Sequence, residues 1–327
     1  MSFWKGQRVL VTGGNGFIGS HLVERLVAEG ARVTSTASSP ATEFRFLDAV
    51  RKDIRTVVGD LSDAVVARRA VEGQEVVFNL AAKVGGIEYN LKRVGSVFRD
   101  NLQVFMPVLD AAQQARTGLF VVTSSACVYP RVCSIPTPEE EGFKDRPDPA
   151  NEGYGWAKRM EEFLAEAYSR EFGMKIRVAR PYNGYGPRDN FDPSSSHVIP
   201  ALVRRVMSGE DPLVVWGDGS TTRSFFYATD FARGLMAVAE KSPRVEAVNL
   251  GADEEVSIGD LARLIVRLSG RTVKLVFDPS KPAGQPRRKC DTRLAEKLLG
   301  FRAAVPLEEG LSRTIEWYRQ HIGSQAK

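Results

Sequence analysis

Cysteine and histidine are scarce in this sequence of 327 residues, with three of each. Cys127, Cys133 and Cys290 show no C-x-x-C spacing, and an odd number without a framework argues against a disulfide scaffold and points to a reducing, cytoplasmic setting. No grouping of His, Cys and carboxylates has metal-ligand spacing, so no metal is expected. Nowhere does the chain approach the ~20 consecutive apolar residues of a membrane span. A signal peptide is not expected either, because Val9-Leu10-Val11 stops at glycines instead of extending into a long apolar stretch. Charge of one sign is in only slight excess: 45 Lys and Arg against 40 Asp and Glu, a formal +5. The densest basic cluster, Arg287-Arg288-Lys289, is short and reads as a local anion site or a solvated face, not as a nucleic-acid stripe. Internal repeats and low-complexity tracts are also lacking. With 43% hydrophobic and 26% charged residues, the remainder is that of a globular protein with room for one large domain or two unequal ones.

What is present first is alternation. From Gln7 to about Arg180, short β-branched runs alternate with longer amphipathic ones, the pattern of a parallel sheet wrapped by helices. Strands are expected at Arg8–Val11, Arg32–Thr36, Thr56–Val58, Glu75–Asn79, Leu119–Thr123 and Lys175–Ala179. Helices are expected at Phe17–Glu29, near Asp63–Val71, at Val94–Ala115 and at Gly155–Phe172. The fold class is therefore α/β, a Rossmann-type doubly wound parallel sheet over residues 1–180. Past Arg180 the segment Tyr182–Ser196 is rich in Gly, Pro, Asn and Ser and reads as an irregular loop. Helices at Val198–Met207, Ala228–Lys241, Ile258–Leu268 and Leu307–His321, with strands at Leu213–Trp216, Ala247–Leu250 and Val273–Phe277, make residues 181–327 a smaller mixed α/β lobe, interleaved with the first.

The segment Val11-Thr12-Gly13-Gly14-Asn15-Gly16-Phe17-Ile18-Gly19 follows a strand and opens a helix. Glycines at those points let the backbone turn sharply and approach a pyrophosphate, with amides and the positive helix end facing the anion. A dinucleotide is thus expected on Gly13, Gly16, Phe17, Ile18 and Gly19, with Ala81 nearby. An NAD site usually carries an acid at the end of the second strand for the ribose 2′-hydroxyl. Here the sequence reads Thr34-Ser35-Thr36-Ala37-Ser38-Ser39, without a carboxylate. Small hydroxyl residues such as Ser38 leave room for a 2′-phosphate, which favours NADP(H) over NAD(H). Asp60-Leu61, closing the third strand, suits an adenine contact or, equally, a cap region around Ser62.

Tyr154 and Lys158 stand four apart at the start of a helix, on one face. A neighbouring ammonium stabilises a phenolate and would draw the tyrosine pKa from about 10 toward neutrality, giving a proton donor for a carbonyl under reduction. On its own, Tyr-x-x-x-Lys is also common on solvated helices. Downstream of the glycine segment, however, Ser124-Ser125-Ala126-Cys127-Val128-Tyr129-Pro130 precedes the pair, and Trp216-Gly217-Asp218-Gly219 and Thr222-Arg223-Ser224-Phe225 follow it. Over nearly its whole length the chain resembles the extended short-chain dehydrogenase/reductase family of sugar-nucleotide epimerases, dehydratases and reductases. That resemblance implies that Ser125 binds the substrate carbonyl, Tyr154 exchanges its proton and Lys158 grips the nicotinamide ribose. Hydride then passes to or from sugar C4.

Three further segments narrow the resemblance: Cys127 two residues after Ser125, His197 within Asp189–Pro200, and Lys83-Val84-Gly85-Gly86-Ile87. Together they are similar to the family's 3,5-epimerase/4-reductases of GDP-4-keto-6-deoxyhexoses. Carbons 3 and 5 flank the C4 ketone, so inversion there needs one base and one acid on opposite faces of the ring. A thiol and an imidazole suit this near neutral pH, while Ser125 and Tyr154 would stabilise the enolate. The plainer alternatives are a small buried side chain for Cys127 and a helix cap for His197. Cys133, Cys290, His21 and His321 read as structural or exposed. By the same resemblance Lys83, Asn183, Arg205, Arg223 and Arg288 would hold the sugar or its diphosphate, although surface ion pairs are the commoner fate of arginines. Trp216 would stack on the base. Alternatives of other classes are a redox-neutral nucleotide-sugar epimerase with tightly bound NAD and a non-catalytic dinucleotide sensor. A homodimer through Val94–Ala115 and Gly155–Phe172 is expected; no nucleic-acid or membrane partner is.

Overall fold

The computed structural model describes residues 2–243, 245–281 and 285–323. The first half runs β1 (Arg8–Thr12), α1 (Phe17–Ala28), β2 (Arg32–Ala37), β3 (Ile54–Val58), α2 (Ala64–Val71), β4 (Val76–Asn79), α3 (Ile87–Lys92), α4 (Val94–Gln114), β5 (Leu119–Thr123), α5 (Glu152–Phe172) and β6 (Ile176–Pro181). The second continues with β7 (Gly184–Tyr185), α6 (Val198–Met207), β8 (Leu213–Trp216), β9 (Thr222–Arg223), β10 (Phe226–Tyr227), α7 (Ala228–Lys241) and β11 (Ala247–Leu250). It closes with β12 (Val256–Ser257), α8 (Ile258–Ser269), β13 (Leu275–Asp278), β14 (Arg287–Arg288), α9 (Arg293–Leu299) and α10 (Leu307–His321).

Seven strands form one parallel sheet in the order β11-β6-β5-β4-β1-β2-β3. Both faces are covered, so its strands are apolar on both sides. In β1, Val9 and Val11 join a core with Leu22 and Leu26 of α1 and Phe231 and Leu235 of α7. The intervening Leu10 joins Phe105 and Leu109 of α4 and Phe120 of β5 on the other face. The chain winds outward from β1 to β3 and then returns to place β4 on the other side of β1. That reversal opens a crevice at the strands' C-terminal ends, where ligands of such sheets bind. A third core, built from α6, α8, α10 and β8 around Leu202, Leu261 and Leu311, forms the second lobe.

Beyond residue 180, β11, α7 and α9 all join the large layer, α9 through Ala295 and Leu299. β11 is its edge strand, with Val248 opposite Ala179, and α7 packs along α1. The structure also contains helices α3 and α9 that the sequence pattern did not suggest, and the segment expected to be wholly irregular contributes β7. α5 begins at Glu152 rather than Gly155, which sets Tyr154 and Lys158 firmly inside the helix. Its end is set by Gly173, at φ 66°. Side-chain caps start α2, where Asp63 accepts from Val65 N, and α8, where Ser257 accepts from Asp260 N. Among the described residues no helix is long and apolar enough to cross a membrane, and no group of three or more His, Cys, Asp or Glu could hold a metal ion.

Candidate active site

The glycine segment fits a dinucleotide because side chains have been removed where backbones meet. A Cβ on Gly14 would lie 2.4 Å from Ser35 Oγ, and one on Gly19 would lie 2.2 Å from Gly13 O. Gly13 takes φ 66°, where a side chain would be strained. Gly16 caps α1 without a side-chain bond, which leaves the first-turn amides of Phe17 and Ile18 open to an anion. Thr12 Oγ1 donates to Asn79 Oδ1 at 3.0 Å and accepts from the amides of Leu80 and Ala81, so the ends of β1 and β4 are locked together beside Ala81. Asn79 Nδ2 is buried without a partner, a donor available at the floor of the crevice.

Ser38 stands exposed just past β2, with no carboxylate among its neighbours in sequence. The Asp60 carboxylate accepts the Ser62 amide at 2.9 Å, a bond that, with the Ser62 hydroxyl, holds it below the usual carboxylate range. Leu61 is buried. The N-cap of α2 is Asp63, so Asp60 is tied up by a local turn instead.

Across the crevice, β5 delivers Ser124 and Ser125 into a helical turn over Ala126–Val128, and Ser125 Oγ accepts the Cys127 amide at 3.1 Å. α5 can press its first turn onto this segment because Gly155 has no side chain: a Cβ there would lie 2.4 Å from Cys127 O. Tyr154 is thereby held close to Cys127. Lys158 is 1% exposed and donates to Thr123 O at 3.0 Å and to Glu161 Oε2 at 2.8 Å, with its Nζ 5.6 Å from the Tyr154 ring centre. The expected lowering of the Tyr154 pKa is not met in this structure. Burial pushes the phenol well above its usual range, and Cys127 and Glu161 add to the effect. Glu161 also takes up much of the Lys158 charge that was to favour the phenolate.

Two arginines close the same space. Arg223 of β9 and Arg288 of β14 are register partners in a parallel strand pair. The Arg288 guanidinium donates to Ala126 O, lies close enough to the Cys127 side chain to interact with it electrostatically, and sits over the Tyr182 ring. Burial opposes its charge, but Cys127, Tyr182 and Asp148 outweigh burial and hold its pKa above the ordinary value. Arg223 donates to Thr222 O, and burial together with the Arg288 charge brings its pKa down to about 10. Two crowded guanidinium groups, with Asp148 as the nearby counter-charge, form a place that an anion would relieve. Asn183 donates to Ser224 O at 2.8 Å and so links β7 to the approach to β10.

His197 occupies the N-cap position of α6 without making a cap bond, and its desolvated setting lowers the imidazole pKa. More than a third of its surface is still open, so it stands in a cleft and not in a sealed core. Its loop is joined to the site through Gly86, whose amide bonds Ser195 O, and through Asn90, whose side chain bonds Gly85 O and Asn151 Oδ1 just ahead of α5. Lys83, in that same segment, is exposed, and its backbone is pinned to the Asn101 side chain. Arg205 is paired with Glu210 through both carboxylate oxygens, and Trp216, at the end of β8, keeps 49% of its surface exposed.

Sequence reasoning missed the polar layer beneath. Glu162 makes a two-point ion pair with Arg180 and accepts from Ser124 Oγ. Arg180 also reaches Tyr129 Oη at 3.2 Å, which donates to Asn249 Oδ1 at 2.5 Å. Adjacent glutamates on an amphipathic helix look like a solvated face, and no signal in the sequence sets them apart.

The NAD dependent epimerase/dehydratase family model matches residues 9–251. A dTDP-4-dehydro-6-deoxy-D-allose reductase from Streptomyces bikiniensis is 35% identical over 97% of this chain and 98% of its own length. A probable GDP-L-fucose synthase from Oryza sativa subsp. japonica is 36% identical over 99% of this chain and 95% of its own. The crystal structure of a GDP-L-fucose synthetase from Naegleria fowleri bound to NADP superposes with TM-score 0.82, at 26% identity, over 99% of this chain and 97% of that one. The chain belongs to the NAD-dependent epimerase/dehydratase family, a family of nicotinamide-dependent enzymes acting on nucleotide sugars.

Proposed function

We propose that the chain is a nucleotide-sugar 3,5-epimerase/4-reductase acting on a GDP-4-keto-6-deoxyhexose. The observation that carries this reading is the grouping of Ser125, Cys127, Tyr154 and Lys158 beneath the Arg223–Arg288 pair. The guanidinium pair suits the diphosphate, with Lys83 and Asn183 toward the sugar, Arg205 freed from Glu210 on binding, and Trp216 under the base. Ser125 holds the C4 oxygen. Cys127 and His197 move protons at C3 and C5 from opposite faces, and Tyr154 protonates the C4 oxygen during reduction. Gly13, Gly16, Phe17, Ile18, Gly19, Ala81 and Lys158 would hold the dinucleotide, with Ser38, Asp60 and Leu61 about its adenosine half. When bound, its nicotinamide supplies the hydride. NADPH is favoured because no acid follows β2 to take a ribose 2′-hydroxyl.

The test combines NADPH with GDP-4-keto-6-deoxymannose in deuterated buffer. Expected are stoichiometric NADPH oxidation and deuterium at C3 and C5, with Tyr154→Phe slowing hydride transfer about 10²- to 10⁴-fold while cofactor binding persists. Isomerisation without NADPH loss would overturn the reading in favour of a redox-neutral epimerase. Reduction without deuterium uptake, best with a dTDP-4-keto-6-deoxy sugar, would favour a plain reductase like the Streptomyces relative. Binding of NADPH with no turnover of either sugar would leave a sensor.

The proposed assembly is a homodimer through α4 and α5. Met106 on α4 and Phe163 and Phe172 on α5 are exposed, at 46%, 51% and 45%. Sedimentation should give twice the chain mass, and Phe163→Glu should give monomers; a monomeric parent chain would refute this.

A further inference from the structure

The Lys158–Glu161 pair is the most enclosed ion pair at the site, with both side chains 1% exposed. Burying two charges costs more desolvation energy than a surface pair, and an apolar pair of equal volume is commonly as stable. Stability therefore does not explain why a carboxylate stands there. Its location does. An ammonium has three N–H donors, and Thr123 O and Glu161 take two of those of Lys158, which leaves one to turn toward the ribose.

We propose that Glu161 is a positioning residue that sets the proton affinity of Tyr154: by neutralising Lys158 it keeps the phenol protonated and so favours carbonyl reduction over the reverse oxidation. In reduction the carbonyl carbon would take a hydride whose C–H bond breaks on a bound reduced nicotinamide, leaving that ring oxidised, while the phenol O–H breaks and its proton goes to the carbonyl oxygen; solvent then reprotonates the phenolate. An uncompensated Lys158 would favour phenolate before substrate arrives, the form needed to accept a proton in oxidation.

The remaining charged groups do not cancel this effect. Tyr154 faces Lys158 and Glu161 from its own helix and Cys127 from the turn after β5, with the charge of Arg288, on β14, near that side chain. Beside Glu161, the Glu162 charge is taken up by Arg180 of β6. On α4, which packs along α5, Arg99 pairs with Asp100, and Asp110 accepts from Tyr168. Burial pushes the Glu161 carboxyl up against the pull of Lys158.

Only the catalytic consequence rests on the function proposed above; the coupling itself is measurable on the chain alone. With ¹³Cζ-labelled tyrosine, the Tyr154 resonance is identified by its loss in Tyr154→Phe and followed by NMR from about pH 9 up to the alkaline limit of the folded state, about pH 12.5, because burial holds the parent midpoint well above the usual tyrosine range. Glu161→Gln should lower its ionisation midpoint by about one unit, a tenfold rise in the ionisation constant, with the fold intact by circular dichroism. Glu161→Asp keeps the charge one methylene further back and should shift it less, in the same direction. Coincident titrations of the parent and Gln chains would overturn the proposal. If the Gln chain does not fold, an unmoved midpoint in Glu161→Asp overturns it equally. Neither result depends on which sugar is turned over, so a wrong substrate would leave the titrations unchanged.

Discussion

The two walls of the crevice are made in opposite ways. On the side proposed for the cofactor the contacts are backbone against backbone: Gly13 and Gly19 leave out side chains so that β1, α1 and the end of β4 meet within a few ångströms. On the side proposed for the sugar nucleotide they are long cationic side chains, Arg223 and Arg288, carried on short strands from distant parts of the sequence and crowded together. The first wall tolerates no added atom but carries little charge. The second has adjustable side chains but stores electrostatic cost that a bound anion would release. On the function proposed above, a ligand common to a whole family would be held by rigid main chain and the variable ligand met by side chains.

Three substitutions would sharpen or break that contrast. Gly19→Ala should have the largest effect, because its Cβ would meet main-chain atoms that cannot rotate away. NADPH affinity by calorimetry should fall about 100-fold, with destabilisation of about 1–3 kcal/mol, and unchanged affinity would mean the loop is more pliable than its packing implies. Arg223→Leu should come next, raising the KM for the nucleotide sugar roughly 10- to 100-fold, the worth of one charged hydrogen bond, while NADPH affinity holds. Equal losses for both ligands would erase the distinction between the walls.

The smallest effect concerns Asp189, on the loop leading to His197. Its Oδ2 is buried without a partner, and burial pushes its pKa up to about 8. An unfolded aspartate titrates near 3.9, so the folded state binds the proton more tightly. The stability this contributes is fully present below about pH 4 and is lost as pH rises through about 8. Asp189→Asn should therefore raise Tm by about 5 °C at pH ~9 and hardly change it at pH ~4. Equal shifts at both pH values would show that the carboxyl is not the source.

The same contrast explains what could be read from the sequence. The parallel sheet, the glycine segment and the Tyr154–Lys158 spacing are local patterns, and the structure contains them with boundaries moved by a few residues. Ser125 and Cys127 are singled out by their neighbours in one short stretch, and the structure sets both in the turn after β5, with Cys127 beside Tyr154. The Arg223–Arg288 pairing depends on β9 and β14 meeting in space, and Glu161 depends on which face of α5 turns inward just below Lys158. The commitment of Asp60 to the Ser62 amide and of Arg205 to Glu210 arises from turn and end-of-helix geometry that residue type does not encode. The one electrostatic expectation that failed, a readily ionised Tyr154, failed because desolvation outweighs a cation already shared with a carboxylate.

The strand at Ala247–Leu250 has a consequence for how the protein can be divided. After α6 and β8 the chain comes back to lay α7 on α1 and hem the large sheet with β11 beside β6, leaves for α8, returns in α9, whose Ala295 and Leu299 enter the large core, and ends in the smaller lobe with α10. The two lobes are therefore stitched rather than strung. A fragment cut at residue 181 would carry an unhemmed strand and an uncovered face of α1, and neither piece would be a self-sufficient module that could be exchanged between relatives.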